Sequence, residues 1–309
     1  MTEALAPFLK SRLVQGPEAG AELHANALVG AMLHHEAAMA RCFAHFGVLR
    51  QDEAMSIAST CRPELFDAEQ LLRETQRELA LGLETAPPLI RRLRDTVELF
   101  NPKAARHVFR AGRWDIVQKN ALQVLTQQWA DALDLEVAAI TALLEPQHMA
   151  LAARLRRCQQ RLQGVRQYAL QLQLASTDAD AMARSPEFVD RLMQELGMEA
   201  LPHAATHAAL DDWIALGAEY GLLTQCLTSV ALDTAIGLPD AERERMRATA
   251  QRTPLAVAQW LAEGPTLHAS GTAAAREFWD ILWPLWTQVL QQTALTARSL
   301  HLHLEQQDA

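Results

Sequence analysis

Glycine and proline are scarce in this chain, 13 of each in 309 residues, and tyrosine occurs only twice. Valine, isoleucine, threonine and tyrosine are thin enough that a sheet has little to be built from. Positive charge is also short: 28 Lys and Arg against 37 Asp and Glu leave a net charge of -9. Nonspecific nucleic-acid binding needs a basic surface to displace counterions, so nucleic acid is excluded as a partner. No apolar run is long and uncharged enough to span a bilayer, and Met1 to Leu13 has no apolar core of signal length, so no membrane partner and a cytoplasmic location are expected. The four cysteines, Cys42, Cys61, Cys158 and Cys226, are far apart and form no CxxC pair. They read as buried free thiols in a reducing compartment, and no metal-ligand spacing accompanies them.

What remains is alanine, leucine, glutamine, arginine and glutamate, all strong helix formers, and the fold class expected is all-α. Leu28, Met32, Met39, Phe43 and Phe46 recur at helical steps and define a first long helix over 21–46, closed by Gly47. A short helix ends near Cys61. Asp67, with Gln70 three residues on, has the form of a capping box for the next. Pro87 and Pro88 open another, which Asn101-Pro102 stops. Then the pattern lengthens. Residues 116–144 and 149–174 are weakly interrupted helices on either side of Pro146, Ser185-Pro186 starts a further helix ending at Gly197, and a third long helix spans 204–236. Apolar stripes this broad suggest a bundle that also buries surface against other subunits. Gly237-Leu238-Pro239 marks a boundary before a helical tail in which Phe278, Trp279, Trp283 and Trp286 cluster as core, with a subunit interface as the competing reading.

Several titratable groups invite a functional reading. His203, His207 and Asp211 are four apart and share a helix face, as a metal site would require, but a capped first turn explains them more simply, and no metal is expected. His34, His35 and Glu36 are adjacent and therefore point in different directions, which argues against a shared site. His301 and His303 near the end of the last helix suit its dipole.

The order of segments resembles a known family. Ala31-Met-Leu-His-His-Glu-Ala-Ala-Met-Ala-Arg41 followed by Phe46-Gly-Val-Leu49 is similar to the first helix of the fumarase/aspartase superfamily, in its 3-carboxy-cis,cis-muconate cycloisomerase branch, beside adenylosuccinate lyase. Ile57 to Leu71, Pro87 to Leu93, Asn101 to Asp115, Gln159 to Leu174 and Leu232-Asp233-Thr234-Ala235 follow the family's later segments in order. The resemblance implies a three-part helical fold: an N-terminal part over 1–112, a central bundle of long helices over 113–238, and a small C-terminal part over 239–309. It implies a tetramer, or a hetero-oligomer with a full-length homologue, with sites built from several chains. It implies lactonisation of a small carboxylic acid without metal or organic cofactor.

Against that pattern the chemistry is depleted. In the family's "HWGATSQD" loop, Phe109 stands where the histidine belongs, Arg110 where the tryptophan does, and Arg113-Trp114 where a Thr-Ser pair does. A phenyl ring neither donates a hydrogen bond nor moves a proton. Leu143 to Met149 is all that joins the first two bundle helices, and roughly two dozen residues of the family's "GRTxLQPAxP" segment have no counterpart. Nothing resembles the mobile "GSSxMPxKxNP" loop, whose serine and lysine supply base and anion clamp; Ser270-Gly271 has no such context. The groups left for an anion or a proton are His107, Arg110 and Arg113 on the remnant loop and His203 near the family's "PwH" position. Loss of base, clamp and lid together points to a catalytically impaired, structural or regulatory member. A rearranged site acting on a small di- or tricarboxylic acid is the alternative.

Overall fold

A computed structural model describes residues 25–81, 87–109, 114–145, 147–172, 185–198, 210–234, 240–241, 244 and 283–308. Among these the regular structure is helical: α1 (Ala25–His45), α2 (Gln51–Thr60), α3 (Ala68–Ala80), α4 (Pro88–Phe100), α5 (Pro102–Ala105), α6 (Trp114–Leu144), α7 (Met149–Ala169), α8 (Pro186–Leu196), α9 (Leu210–Thr234) and α10 (Trp283–Asp308). A 3-10 turn, Pro63–Leu65, joins α2 to α3. The all-α expectation is met.

Local chemistry sets most of the helix ends. Asp67 Oδ1 accepts from the Gln70 backbone N–H at 2.9 Å, but the Gln70 side chain turns forward to Glu74, so only half of the expected capping box forms. Asn101 both follows α4 and caps α5, accepting from the Ala104 N–H. Ser185 caps α8 through its hydroxyl, with Pro186 in the first turn. Gly47 and Gly197 take left-handed φ values of 74° and 68°. At each, the next residue's N–H reaches back to close the helix, Val48 to the Phe43 carbonyl and Met198 to the Met193 carbonyl. Only a residue without a Cβ adopts that turn at no cost.

Helices α6, α7, α9 and α10 close a four-membered ring: α7 packs on α6 and α9, and α10 packs on α9 and α6. The tail helix, assigned from sequence to a C-terminal part, thus runs along the long helices. Trp286 of α10 is fully buried between Trp213 and Tyr220 of α9, and its indole N–H donates to Thr126 Oγ1 of α6 at 2.8 Å. This places Trp286 in the core, as read from sequence; Phe278 and Trp279 lie outside the described residues. The second layer is α1, whose buried face meets α6 on one side, α2 on another and α8 on a third. Phe43 and Phe46 of α1 meet Phe188 of α8 at 5.2 and 5.6 Å between ring centroids.

The bundle interior is unusually rich in threonine. Thr126, Thr141, Thr224, Thr228, Thr234, Thr293 and Thr296 are buried, and each hydroxyl lies within hydrogen-bond reach of the carbonyl four residues earlier in its own helix. That habit satisfies the hydroxyl inside the helix at the expense of a slight bend. Thr224 and Thr293 also meet across α9 and α10, oxygen to oxygen at 2.7 Å. Among the described residues no helix is long and apolar enough to cross a membrane.

Candidate functional site

The most unusual chemistry among the described residues lies where α1, α6 and the end of the segment after α5 converge. On the apolar stripe of α1, Glu36 occupies the helical step between Met32 and Met39, so it faces inward and is 4% exposed. Its Oε1 accepts the backbone N–H of Phe109 at 2.6 Å. Phe109 is itself buried and has a φ of 54°, the one positive φ outside glycine among the described residues. A left-handed conformation at a bulky residue is strained by about 1–2 kcal/mol, and the Glu36 carboxyl binds its N–H. Burial pushes the Glu36 carboxyl up to about 8, outweighing the Phe109 N–H, which pulls the other way. The side chain is therefore mainly a neutral acid at pH 7.

His35 leaves the same helix on a different azimuth. It is 3% exposed, and its Nε2 lies 3.1 Å from Asn120 Nδ2 of α6. With the amide donating to Nε2, the ring proton resides on Nδ1, which has no partner. Burial first, and the charge of His34 second, lower His35 to about 4. His34 points outward to α8, where it meets the Glu195 carbonyl at 3.1 Å. The three adjacent residues thus reach three different elements, as their helical angles require. Cys61 lies within the electrostatic reach of Glu36, and burial, then that carboxylate, raise its thiol well above the ordinary range.

Of the residues singled out from sequence, His107 is half-buried, and Arg106 Nε donates to its Nε2 at 3.1 Å. It sits two residues before Phe109, on the same segment. Arg110, Arg113 and His203 lie outside the described residues, as does His207. His301 does not act only on the helix dipole: its Nδ1 meets Glu136 Oε1 of α6 at 2.8 Å. His303 is buried and its Nε2 has no partner. No group of three or more metal-ligating side chains occurs among the described residues.

Asn120 and the grip of Glu36 on Phe109 were not anticipated from sequence. A signal was present for both. Glu36 interrupts the apolar stripe of α1, and Asn120 and Gln123 interrupt the buried face of α6 between Val117 and Val124. A polar side chain on an apolar face needs a partner inside the protein.

Chemically, the arrangement is closed. The buried acid and the buried imidazole are both held in their neutral forms. The acid's hydrogen bond goes to backbone, and the ring in the loop position is a phenyl.

A bundle of long helices with a second helical layer laid against it has counterparts among solved structures. Solved structures with that fold match almost the whole chain. The crystal structure of 3-carboxy-cis,cis-muconate lactonizing enzyme from Pseudomonas putida superposes with a TM-score of 0.77 at 18% identity, covering 94% of this chain and 75% of that one. The β-carboxy-cis,cis-muconate cycloisomerase from Acinetobacter calcoaceticus sp. ADP1 gives 0.76 at 17% identity, covering 93% and 75%. A fumarate lyase from Mesorhizobium sp. BNC1 gives 0.73 at 15% identity, covering 93% and 74%. No family model matches the chain, and no curated protein sequence does. At these identities the likeness establishes the fold.

Proposed function

We propose that this chain is a lyase-fold protein of the 3-carboxy-cis,cis-muconate cycloisomerase type that has given up lactonisation and serves as a structural or regulatory paralogue in aromatic catabolism. The observation that carries this reading is Phe109. At the position where the resemblance expects a histidine, a buried phenyl ring is held in a left-handed turn by Glu36. The ring moves no proton to or from a substrate, and the Glu36 carboxyl beside it is buried and engaged with backbone. The missing serine–lysine loop and the short connection between α6 and α7 remove the anion clamp as well, and such groups act as a unit. Assembly would then be the retained property: a homotetramer, or a mixed oligomer with a full-length homologue.

The test is an ultraviolet assay of purified protein with 3-carboxy-cis,cis-muconate, run beside the Pseudomonas putida enzyme, with light scattering on the same sample. Absent turnover from an oligomeric protein is expected. Lactone formation within about a hundredfold of the reference rate, a deficit of about 2.7 kcal/mol in barrier, would sink the proposal.

A second reading is an active cycloisomerase or lyase on a different small di- or tricarboxylic acid, with His107, Arg110, Arg113 and His203 in new roles. The Arg106–His107 contact favours it, because an imidazole nitrogen accepting from a guanidinium is oriented beside positive charge. Saturable binding of such an acid by calorimetry, weakened by Arg113→Ala, would support it; heat no different from buffer would remove it.

A further inference from the structure

Outside the region of Glu36 and Phe109, one cluster of nucleophilic side chains has no structural task. Cys158 of α7 and Cys226 of α9 are both free thiols, 7% and 2% exposed. They stand on helices that pack against each other, α7 and α9. The helices run antiparallel there, and the pair sits between two cross-links of the same register. Arg154 Nη1 donates to Ser229 Oγ at 3.0 Å on one side. Arg161 Nε meets Glu219 Oε2 at 3.2 Å on the other. Rising numbers on α7 thus meet falling numbers on α9, which lays Cys158 and Cys226 opposite one another. Arg161 Nη2 also reaches Cys158 Sγ at 3.5 Å.

The two thiols are not equivalent. The S–H of Cys226, and after it the guanidinium of Arg161, hold Cys158 below the ordinary thiol range despite its burial. Cys226 is pushed up correspondingly by the same contact and by burial. Cys42 is raised to about 11, chiefly by burial, and Cys61 is raised well above the usual value for the same reason. Cys158 is thus the one of these four drawn toward the thiolate, and the helix register sets Cys226 opposite it.

We propose that Cys158 and Cys226 are a peroxide-reactive dithiol, a modification site that closes into a disulfide joining α7 to α9. The oxidant is hydrogen peroxide. The Cys158 thiolate attacks one peroxide oxygen; the O–O bond breaks, and hydroxide leaves and takes up the proton the thiol released, giving water and a sulfenic acid on Cys158. The Cys226 sulfur then attacks the Cys158 sulfur. The S–S bond forms as the S–O bond breaks, and the hydroxyl leaves with the Cys226 proton as a second water. Two thiols lose two electrons and one peroxide gains them. Arg161 stabilises the attacking thiolate, and the flanking Arg154–Ser229 and Arg161–Glu219 links keep the resolving sulfur in place. The disulfide would fasten one edge of the bundle ring. This inference is independent of whether the chain turns over a carboxylic acid.

The experiment is thiol mapping on the full-length protein. Reduced protein is exposed to hydrogen peroxide, remaining thiols are alkylated, and peptides are identified by mass spectrometry without reduction. The expected result is a peptide pair linked through residues 158 and 226, released by dithiothreitol, while Cys42 and Cys61 remain alkylatable. In Cys226→Ser, a sulfenic acid at Cys158 should be captured by dimedone; in Cys158→Ser, Cys226 should stay reduced. Both thiols remaining alkylatable in the wild-type protein, or Cys42 and Cys61 oxidising as fast as the pair, would overturn the proposal. The wild-type mapping needs no variant to fold.

Discussion

Replacing Glu36 with glutamine should flatten the pH dependence of stability. In the folded protein burial raises the Glu36 carboxyl from 4.5 to about 8. Between those values the native state keeps a proton that the unfolded chain has released. The native state binds more protons, so stability falls as pH rises through that window and stops falling once the native carboxyl has ionised. Each pH unit inside the window is worth about 1.4 kcal/mol. Raising the pH from about 6 to about 9 crosses roughly two active units, a loss of ~3 kcal/mol from this one group. His35 works in the opposite sense and elsewhere. Its folded value is lowered from 6.5 to about 4, so its contribution grows as pH rises through that lower window and is complete by neutrality. Glutamine keeps an oxygen for the Phe109 N–H and cannot ionise. Urea unfolding of both proteins, followed by tryptophan fluorescence and circular dichroism across this range, gives the difference directly. The wild type should lose ~3 kcal/mol more than Glu36→Gln. Parallel curves would show that the carboxyl is not held neutral and that the reading of this site is wrong.

Three further outcomes are expected. Trp286→Phe removes part of a fully buried ring and the donor to Thr126, and should lower unfolding free energy by about 2–3 kcal/mol in denaturant melts. Gly197→Ala meets no neighbouring atom but must hold a φ of 68°, so the loss should be about 1 kcal/mol, measured the same way. Ser185→Ala removes the acceptor for the Phe188 N–H at 3.2 Å, and should cost about 1 kcal/mol, seen as faster amide exchange in the first turn of α8.

Most of this architecture is legible in the sequence because the helices announce themselves locally. The spacing of Leu28, Met32, Met39 and Phe43 specifies a buried stripe, and Ser185-Pro186 and Gly197 bracket α8 to the residue. What the sequence does not display is which helices share a core. The last helix carries its apolar positions whether it packs alone or, as here, along α6 and α9. The site suffers more from this. Glu36 and Phe109 are 73 residues apart, and His35 and Asn120 are 85 apart. Local periodicity shows that each of these polar groups faces inward without showing what it faces. The pairing of Cys158 with Cys226 was hidden for the same reason, since thiols 68 positions apart read as isolated until α7 and α9 are laid side by side.

The threonines that fill the bundle carry a lesson about how such a protein changes over time. A hydroxyl that answers to its own helix, as in Thr141, Thr228 and Thr296, makes no demand on a neighbour, so valine can stand there singly, whereas Thr126 and Thr224 also answer to Trp286 and Thr293 on α10. The seam tolerates drift in polarity while its shape stays fixed. Where shape alone holds the helices together, composition can change one position at a time without re-pairing them.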